Sequence, residues 1–152
     1  MDKLPLQLIR EIITGNRDAE DILHEAFRQR SPVYRLFDMR LIEVAEGKAK
    51  IEFPYKEELS RIGGMLHGGA IMTVIDQVCG LAAMTVNKGV NQVTMELKIN
   101  FLKPLTKETE PYVAVGEVIR AGRTTIVCQG KIFNSKGDIC AVGIGTWYVF
   151  TK

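Results

Sequence analysis

Histidine and cysteine are scarce in this sequence, with two and three residues respectively among 152. Two histidines cannot build a histidine-rich metal site, so no bound metal is expected. The three cysteines are Cys79, Cys128 and Cys140. They are odd in number, lie inside apolar runs and have no CxxC spacing. This pattern favours buried reduced thiols over a disulfide, a metal site or a nucleophile. No serine or cysteine stands in a nucleophile-elbow motif, which disfavours a hydrolase built on a catalytic triad.

A large excess of charge is missing as well, because the formal net charge is +2 at pH 7 and both signs are interspersed. Neither a nucleic acid nor an anionic membrane surface is therefore an expected partner, and any anionic ligand has to be bound locally. The N-terminus lacks the basic start and apolar stretch of a signal peptide, so a cytoplasmic protein is expected. The longest apolar candidate, 68–86, carries Asp76 and Gln77 near its middle, which argues against a transmembrane helix.

The beginning of the chain has the spacing of two short helices. They are predicted over 4–13 and 19–29, and Ser31–Pro32 is expected to end the second. We interpret 1–32 as an N-terminal helical extension and 33–152 as one compact domain, because 46% hydrophobic residues suit a single core.

The remaining residues predict a hairpin, one long helix and four further strands. The hairpin lies within 39–53, where RLIEV and AKIEF flank the turn-like AEGK. The helix is expected from Gly69 to Lys88, with Gly89 as its C-terminal stop. The strands follow over 93–101, 112–120, 124–134 and 138–150, with connections short enough for antiparallel neighbours. The predicted fold class is α+β, with the sheet wrapping the helix.

The strand over 93–101 alternates strictly between apolar and polar residues. This period of two predicts a half-buried strand with one apolar face. The opposite face would then carry four polar residues together: Thr94, Glu96, Lys98 and Asn100.

Asp76 lies in the long predicted helix among small residues. At about 100° per residue, one narrow stripe holds Gly69, Thr73, Asp76, Gly80 and Ala83, while the larger apolar residues face the sheet. A stripe of small residues permits close approach of another backbone or leaves room for a ligand. The carboxylate at its centre needs hydrogen-bond donors or water.

The segment LHGGA before this helix places free backbone N–H groups where a carbonyl oxygen or an anion can be held. Gly69 and Asp76 are seven residues apart, or about 10 Å along the axis, which is long for both to act on one carbonyl. If two copies of the helix lay antiparallel, Asp76 of one would approach the Gly68–Gly69 turn of the other. The spacing therefore predicts a two-fold dimer with two sites at its interface.

The stretch GGMLHGGAIMTVIDQVCGLAA, followed by a strand that ends INFLKP, resembles the PaaI-like branch of the hotdog-fold acyl-CoA thioesterases. The similarity covers roughly residues 33 to 150. It implies a hotdog fold, in which a curved antiparallel sheet wraps a long helix, and dimers that often pair into tetramers. The implied activity is hydrolysis of acyl-CoA thioesters without a cofactor, coenzyme A being part of the substrate.

By the same resemblance, Asp76 is the catalytic carboxylate, acting as a nucleophile or as a general base for water. The Gly68 N–H would polarise the thioester carbonyl, and Gly69 and Thr73 would line the substrate site. His67 would shape the turn, unless it only caps the helix. Thr94, eighteen residues after the acid, matches a position where the family often has a hydroxyl that helps to hold water.

The sequence departs from the family pattern at Arg61, where members often have Asn or Gln. A guanidinium can donate hydrogen bonds as an amide does, but it also lowers the pKa of a nearby carboxylate. Coenzyme A carries phosphates, and four cations on or just after strands are candidates to bind them, although each is also explained as an ordinary surface charge: Lys98, Lys103, Arg120 and Arg123.

Few catalytic groups are required for thioester hydrolysis, because a thiol with a pKa of about 8.5 is a good leaving group. A carboxylate and a stabilised oxyanion suffice. Two alternatives remain: a non-catalytic acyl-CoA binding or sensing protein, and an enoyl-CoA hydratase of the same fold. The sequence leaves the acyl group open between aryl-acetyl and fatty acyl chains.

Overall fold

The computed structural model describes residues 5–152 and contains four α-helices. Leu4, where the first helix was expected to begin, lies outside the described residues. The helices are α1 (Pro5–Ile13), α2 (Asp18–Arg30), α3 (Pro32–Leu36) and α4 (Gly68–Val86). The helix α3 corrects the prediction, because Ser31–Pro32 ends α2 and also begins another helix. The Ser31 hydroxyl accepts a hydrogen bond from the Tyr34 N–H, and proline is favoured in a first helical turn.

Of the eight strands, six follow the predicted pattern with small shifts at their ends, and the two short strands over 60–61 and 65–66 were not predicted. The eight strands are β1 (Arg40–Ala45), β2 (Lys48–Phe53), β3 (Ser60–Arg61), β4 (Met65–Leu66), β5 (Asn91–Phe101), β6 (Tyr112–Ala121), β7 (Thr125–Phe133) and β8 (Ile139–Phe150). Six of them form one antiparallel sheet in the order β1-β2-β6-β7-β8-β5, and β3 pairs only with β4. The sheet curves around α4, which confirms the predicted α+β architecture.

The inner face of the sheet packs against α4. In β7, for example, Ile126, Cys128 and Ile132 are buried and alternate with less buried residues. Gly116 of β6 allows the closest approach, because a Cβ at this position would lie 2.5 Å from the carbonyl oxygen of Val78. Glycine in the sheet therefore sets how tightly the helix and the sheet can pack.

The helix α4 buries its apolar side, including Ile71, Val74 and Val78. It is long and apolar enough by composition to cross a membrane, but 56% of its most apolar window is buried inside the protein, as in a core helix. Its C-terminus differs from the prediction, since the helix ends at Val86 and Lys88 lies beyond it. Gly89 is not a helix stop. It is required by packing, because a Cβ there would lie 2.2 Å from the Phe150 carbonyl oxygen.

The N-terminal helices pack on the C-terminal end of α4 and on β1. Leu8, Ile9, Leu23 and Phe27 are buried in the same hydrophobic cluster as the residues between α4 and the sheet. Arg10 of α1 donates hydrogen bonds to the carbonyl oxygens of Asn87 (3.2 Å) and Gly89 (2.6 Å). A cation at this position complements the negative end of the α4 dipole.

The edge strand β5 contains a β-bulge between Thr94 and Glu96. Before the bulge, Thr94 pairs with the buried Trp147, and after it Lys98 pairs with the exposed Ile144. Met95 is the extra residue of the bulge. Thr94, before the bulge, therefore faces the helix, and after the bulge the odd-numbered Leu97 and Ile99 face it. The strict alternation predicted from the sequence is therefore wrong for Thr94, which faces α4 and not the side that carries Lys98.

Candidate active site

The carboxylate of Asp76 lies on the small-residue face of α4, partly exposed to solvent. The Thr94 hydroxyl, turned inward by the bulge in β5, donates a hydrogen bond of 2.7 Å to Asp76 Oδ1. Among the described residues, no lysine, arginine or histidine forms an ion pair with this carboxylate. Asp76 is therefore held in place by a neutral donor, and its second oxygen remains free to accept a proton or attack a carbon.

The N-terminus of α4 is organised by His67. The His67 ring accepts a hydrogen bond from the Gly69 N–H at 2.9 Å, and the His67 carbonyl accepts from the Ile71 N–H at 3.1 Å. No described residue provides an acceptor for the Gly68 N–H. This donor, at the positive end of the helix, can hold a carbonyl oxygen or an oxyanion.

Thr73, one turn further along α4, is tied to its own helix, because its hydroxyl donates to the Gly69 carbonyl oxygen at 2.9 Å. Before the helix, Gly63 and Gly64 take positive φ angles of 100° and 69° in the turn between β3 and β4. The two glycines allow the tight turn that brings Arg61 and Met65 together in the short antiparallel pair.

A cavity of about 290 Å³ opens beside Gly68. Its walls are mostly apolar and include Ile71, Phe101, Leu102 and Leu105. The cations Arg61 and Lys103 also line it. None of these four apolar residues was predicted to be a site residue, and the INFLKP motif contains only two of them, Phe101 and Leu102.

The guanidinium of Arg61 is engaged locally. It donates to the Ile62 carbonyl oxygen at 2.8 Å and contacts the Met65 sulfur at 3.5 Å. The ammonium of Lys103 lies 2.6 Å from the Asp138 carboxylate, which raises the pKa of Lys103 and lowers that of Asp138.

A second cavity, of about 340 Å³, lies at the other side of the α4 N-terminus. It is lined by His67, Gly69, Thr73 and Phe37. Two predicted site residues, Gly69 and Thr73, therefore share a cavity with a residue from the end of α3, a position that no sequence signal marked.

The remaining predicted cations are dispersed. Lys98 and Arg120 lie exposed on the outer face of the sheet, opposite the helix. Arg123 lines an open cavity of about 890 Å³ at the C-terminal end of α4, together with Arg10 and Lys88. The four cations predicted to bind phosphates do not form one cluster.

Within one chain, the two halves of the predicted site are separated. Gly68 and Asp76 are eight residues apart on the same helix, which is about 12 Å along the axis. A carbonyl group held by the Gly68 N–H is therefore out of reach of the Asp76 carboxylate of the same chain.

The cysteines lack the lowered pKa of a nucleophilic thiol, since burial raises the pKa of each. All three cysteines are free and buried, as predicted. Burial raises the pKa of the Cys79 thiol and raises that of Cys128 to about 12, so both are neutral at pH 7. Among residues 5–152, no three His, Cys, Asp or Glu side chains are grouped as a metal site would require.

The proteins that this chain resembles in sequence are esterases and thioesterases by name. The family model of the thioesterase superfamily matches residues 63–141. A protein of Saccharolobus solfataricus, named as a predicted esterase, is 44% identical over 127 residues, which cover 84% of this chain and 89% of that protein. The acyl-coenzyme A thioesterase 13 of Homo sapiens is 30% identical over 104 residues, covering 68% of this chain and 74% of the human protein.

Solved structures share the fold. A thioesterase family protein from Silicibacter pomeroyi matches with a TM-score of 0.77 and 26% identity, covering 98% of this chain and 100% of that chain. A Streptococcus mutans protein bound to acetyl-CoA matches with a TM-score of 0.69 and 25% identity, covering 75% and 90%. The PaaI protein of E. coli, from the phenylacetic acid degradation operon, matches with a TM-score of 0.73 over 83% and 89%, and at 20% identity it shows the fold alone.

Proposed function

Because this chain belongs to the thioesterase superfamily, we propose that its substrates are acyl-coenzyme A thioesters and that Asp76 and the N-terminus of α4 hydrolyse them. Two similarities support this substrate class. The human relative is an acyl-coenzyme A thioesterase, and the similar Streptococcus mutans structure contains acetyl-CoA.

The observation that carries the proposal is the hydrogen bond from Thr94 to Asp76. A structural acid on a helix surface is usually solvated or paired with a cation. Asp76 is instead partly buried among small residues and held by a hydroxyl from the neighbouring strand. Such an arrangement orients a carboxylate for chemistry without neutralising it.

In the proposed reaction, the thioester carbonyl oxygen accepts a hydrogen bond from the Gly68 N–H. With Asp76 as general base, a water oxygen attacks the carbonyl carbon while the carboxylate takes a proton from the water. The tetrahedral intermediate collapses, the carbon–sulfur bond breaks, and the thiolate of coenzyme A takes up the proton. With Asp76 as nucleophile, its oxygen attacks the carbonyl carbon and the carbon–sulfur bond breaks, which leaves a mixed anhydride and the thiolate of coenzyme A. Water then hydrolyses the anhydride, which releases the acid and restores the Asp76 carboxylate, and the thiolate takes up the proton.

The separation of Gly68 from Asp76 within one chain requires a second copy, and β5 offers the surface to bind it. This edge strand has eleven residues with one unpaired side, and apolar residues along it are exposed: Val93 by 48%, Met95 by 60% and Phe101 by 52%. Long exposed edges with apolar side chains are usually covered in native proteins. We propose a two-fold dimer in which the β5 strands pair antiparallel and Asp76 approaches the partner's α4 N-terminus, with tetramers formed from such dimers.

The first experiment measures free-thiol release from short, medium, long and aryl-acetyl CoA thioesters, for the wild type and Asp76→Asn. We expect turnover to fall by about 1000-fold or more in the variant, since the reaction loses its base or nucleophile. Asp18→Asn is the matched control, because Asp18 is an exposed carboxylate in the first turn of α2 and lines none of the cavities described above. An Asp76→Asn protein that retains wild-type turnover would overturn the proposed role of Asp76.

CoA thioesters also distinguish a thioesterase from the two alternatives, an acyl-CoA binding or sensing protein and an enoyl-CoA hydratase. A binding or sensing protein would retain acyl-CoA tightly and release no thiol. A hydratase would remove the conjugated double bond of an enoyl-CoA, followed by absorbance, without releasing thiol. Either result with the wild type would replace thioester hydrolysis as the proposed function.

A mixing experiment tests the shared site. Gly68→Pro and Asp76→Ala homodimers are each expected to keep about 1% of the activity or less, but their heterodimer contains one site with an intact Gly68 N–H and an intact Asp76. Unfolding and refolding the two chains together should therefore restore activity. Heterodimers that form and remain inactive would exclude a site built from two chains.

A further inference from the structure

A cavity of about 340 Å³ lies between α2, α3 and β1, outside the catalytic residues proposed above. Three guanidinium groups and one imidazole line it, and we call these four residues the arginine pocket: His24, Arg28, Arg35 and Arg40. Tyr34, Asp38 and Met39 complete the lining. Asp38 is the one carboxylate among the lining residues, and its side chain already accepts from Lys56 at 3.1 Å.

Each arginine in the pocket retains unused donors. Arg35 donates through Nη1 alone, to the carbonyl oxygens of Arg28 (2.7 Å) and Gln29 (2.8 Å). Arg40 donates through Nη2 to Glu52 at 2.8 Å. The exposed Arg28 guanidinium has no hydrogen-bond or ion-pair partner among the described residues. A guanidinium presents five N–H donors in a planar fork, so several donors remain available to an oxyanion.

His24 adds a neutral donor. Its Nδ1 accepts from the Leu41 N–H at 3.4 Å and lies 2.8 Å from the Tyr34 hydroxyl, so Nδ1 is unprotonated and the neutral ring carries its proton on Nε2. Burial lowers the pKa of His24, with a further contribution from the positive charge of Arg28, which keeps the ring neutral at pH 7.

We propose that the arginine pocket binds a phosphoryl group and that the nucleotide end of coenzyme A supplies it. Clustered guanidinium groups suit phosphate because they form paired, charge-assisted hydrogen bonds with its oxygens. The choice of coenzyme A as the source rests on the proposed function, whereas the phosphoryl site itself does not.

The pocket lies close to the candidate active site along the chain. Phe37 lines the cavity that contains His67, Gly69 and Thr73. Arg35 and Arg40 lie two and three residues from Phe37, and three residues span at most about 10 Å. The long pantetheine arm of coenzyme A can therefore lie between the thioester at the α4 N-terminus and phosphates in the arginine pocket.

The other cationic cavity is less suited to an anion. Arg10, Lys88 and Arg123 line it together with Glu46. It lies at the C-terminal end of α4, where the helix dipole is negative, and Arg10 already donates to two carbonyl oxygens there.

The test compares wild type with Arg28→Gln/Arg40→Gln, a double variant that leaves the Arg35 contacts to α2 unchanged. We expect KM for acyl-CoA to rise about tenfold, with kcat unchanged, and KM for the same acyl group on pantetheine to stay constant. Arg17→Gln is the control, because the Arg17 side chain is exposed by 74% and, within residues 5–152, pairs with Glu20 alone. If the double variant unfolds, Arg28→Gln alone serves, since Arg28 is exposed and its guanidinium has no partner in the described part of the chain.

Calorimetry with adenosine 3′,5′-bisphosphate and with inorganic phosphate gives an answer that does not depend on catalysis. Weaker binding of the bisphosphate by the double variant, together with the selective rise in KM, supports the proposal. Weaker binding of both anions with unchanged KM supports a phosphoryl site but overturns coenzyme A as its source. Unchanged affinity for both anions, or equal changes in KM for both thioesters, overturns the proposal. If wild type hydrolyses no thioester, the proposed function fails and the binding measurements alone decide.

Discussion

The Gly68 N–H can be removed almost in isolation by Gly68→Pro. Gly68 is the first residue of α4, where proline is favoured because the missing N–H has no helical acceptor. The preceding His67 has φ −64° and ψ 142°, within the region that a residue before proline prefers. The helix should therefore form normally in the variant, without the donor proposed to hold the thioester oxygen.

The expected loss follows from the position of this donor. Removal of one oxyanion donor costs about 100-fold to 1000-fold in kcat. Gly68 is only partly buried, so competing water weakens its hydrogen bond and we expect the lower limit, about 100-fold, or about 2.7 kcal/mol. The assay is thiol release at saturating acyl-CoA, with circular dichroism and urea unfolding as checks of the fold.

Gly68→Ala is the matched control for Gly68→Pro. It keeps the N–H, and its Cβ would lie 3.4 Å from the Phe101 ring, an ordinary contact. We expect Gly68→Ala to retain most of the activity. A folded Gly68→Pro protein that matches Gly68→Ala in kcat would refute the oxyanion role, whether both remain active or both lose activity.

Three further predictions concern neighbouring features. Thr94→Val should lower kcat by about tenfold and leave KM unchanged, because it removes one hydrogen bond to the Asp76 carboxylate; an unchanged kcat would contradict the positioning role. Met95→Lys should shift dimers toward monomers in analytical ultracentrifugation, whereas Ile119→Lys, at a similarly exposed apolar residue of β6, should not; equal shifts would place the interface elsewhere. The lowered pKa of His24, caused mainly by burial, makes the unfolded state bind its proton more readily, so the free energy of unfolding should decline as pH falls below about 6.5. His24→Gln should flatten this decline in urea titrations, and identical slopes would remove His24 as its cause.

Much of the fold was predictable from periodicity and turn residues. Helix α4 was expected over 69–88 and spans Gly68–Val86, and the hairpin turn AEGK was located correctly. The wrong predictions arose at residues that are compatible with more than one local structure. Ser31–Pro32 was predicted only to end a helix, but it also begins another. Gly89 was predicted to stop α4, but glycine is needed there because a Cβ would collide with Phe150.

The candidate site was predictable only in part, because its residues are brought together by the fold. The helix positions of Gly68 and Asp76 follow directly from the spacing on α4. The arginine pocket does not, since Arg28, Arg35 and Arg40 come from three elements whose packing no sequence period reveals. The resemblance matched Thr94 to a position where the family often has a hydroxyl, whereas simple alternation placed Thr94 on the same face as Lys98. Alternation gave the wrong face because a bulge leaves no distinctive residue in the sequence.

The bulge at Met95 also affects which changes the strand can tolerate during evolution. A substitution at Met95 does not change the number of residues in β5, so the residues before and after the bulge still point to the same sides of the sheet. Deletion of this one residue would restore an unbroken alternation and force one half of the strand to turn over. Either Thr94 would then leave Asp76, or Leu97 and Ile99 would leave the core. The length of β5 should therefore be preserved more strictly than the identity of Met95, its most exposed large apolar residue.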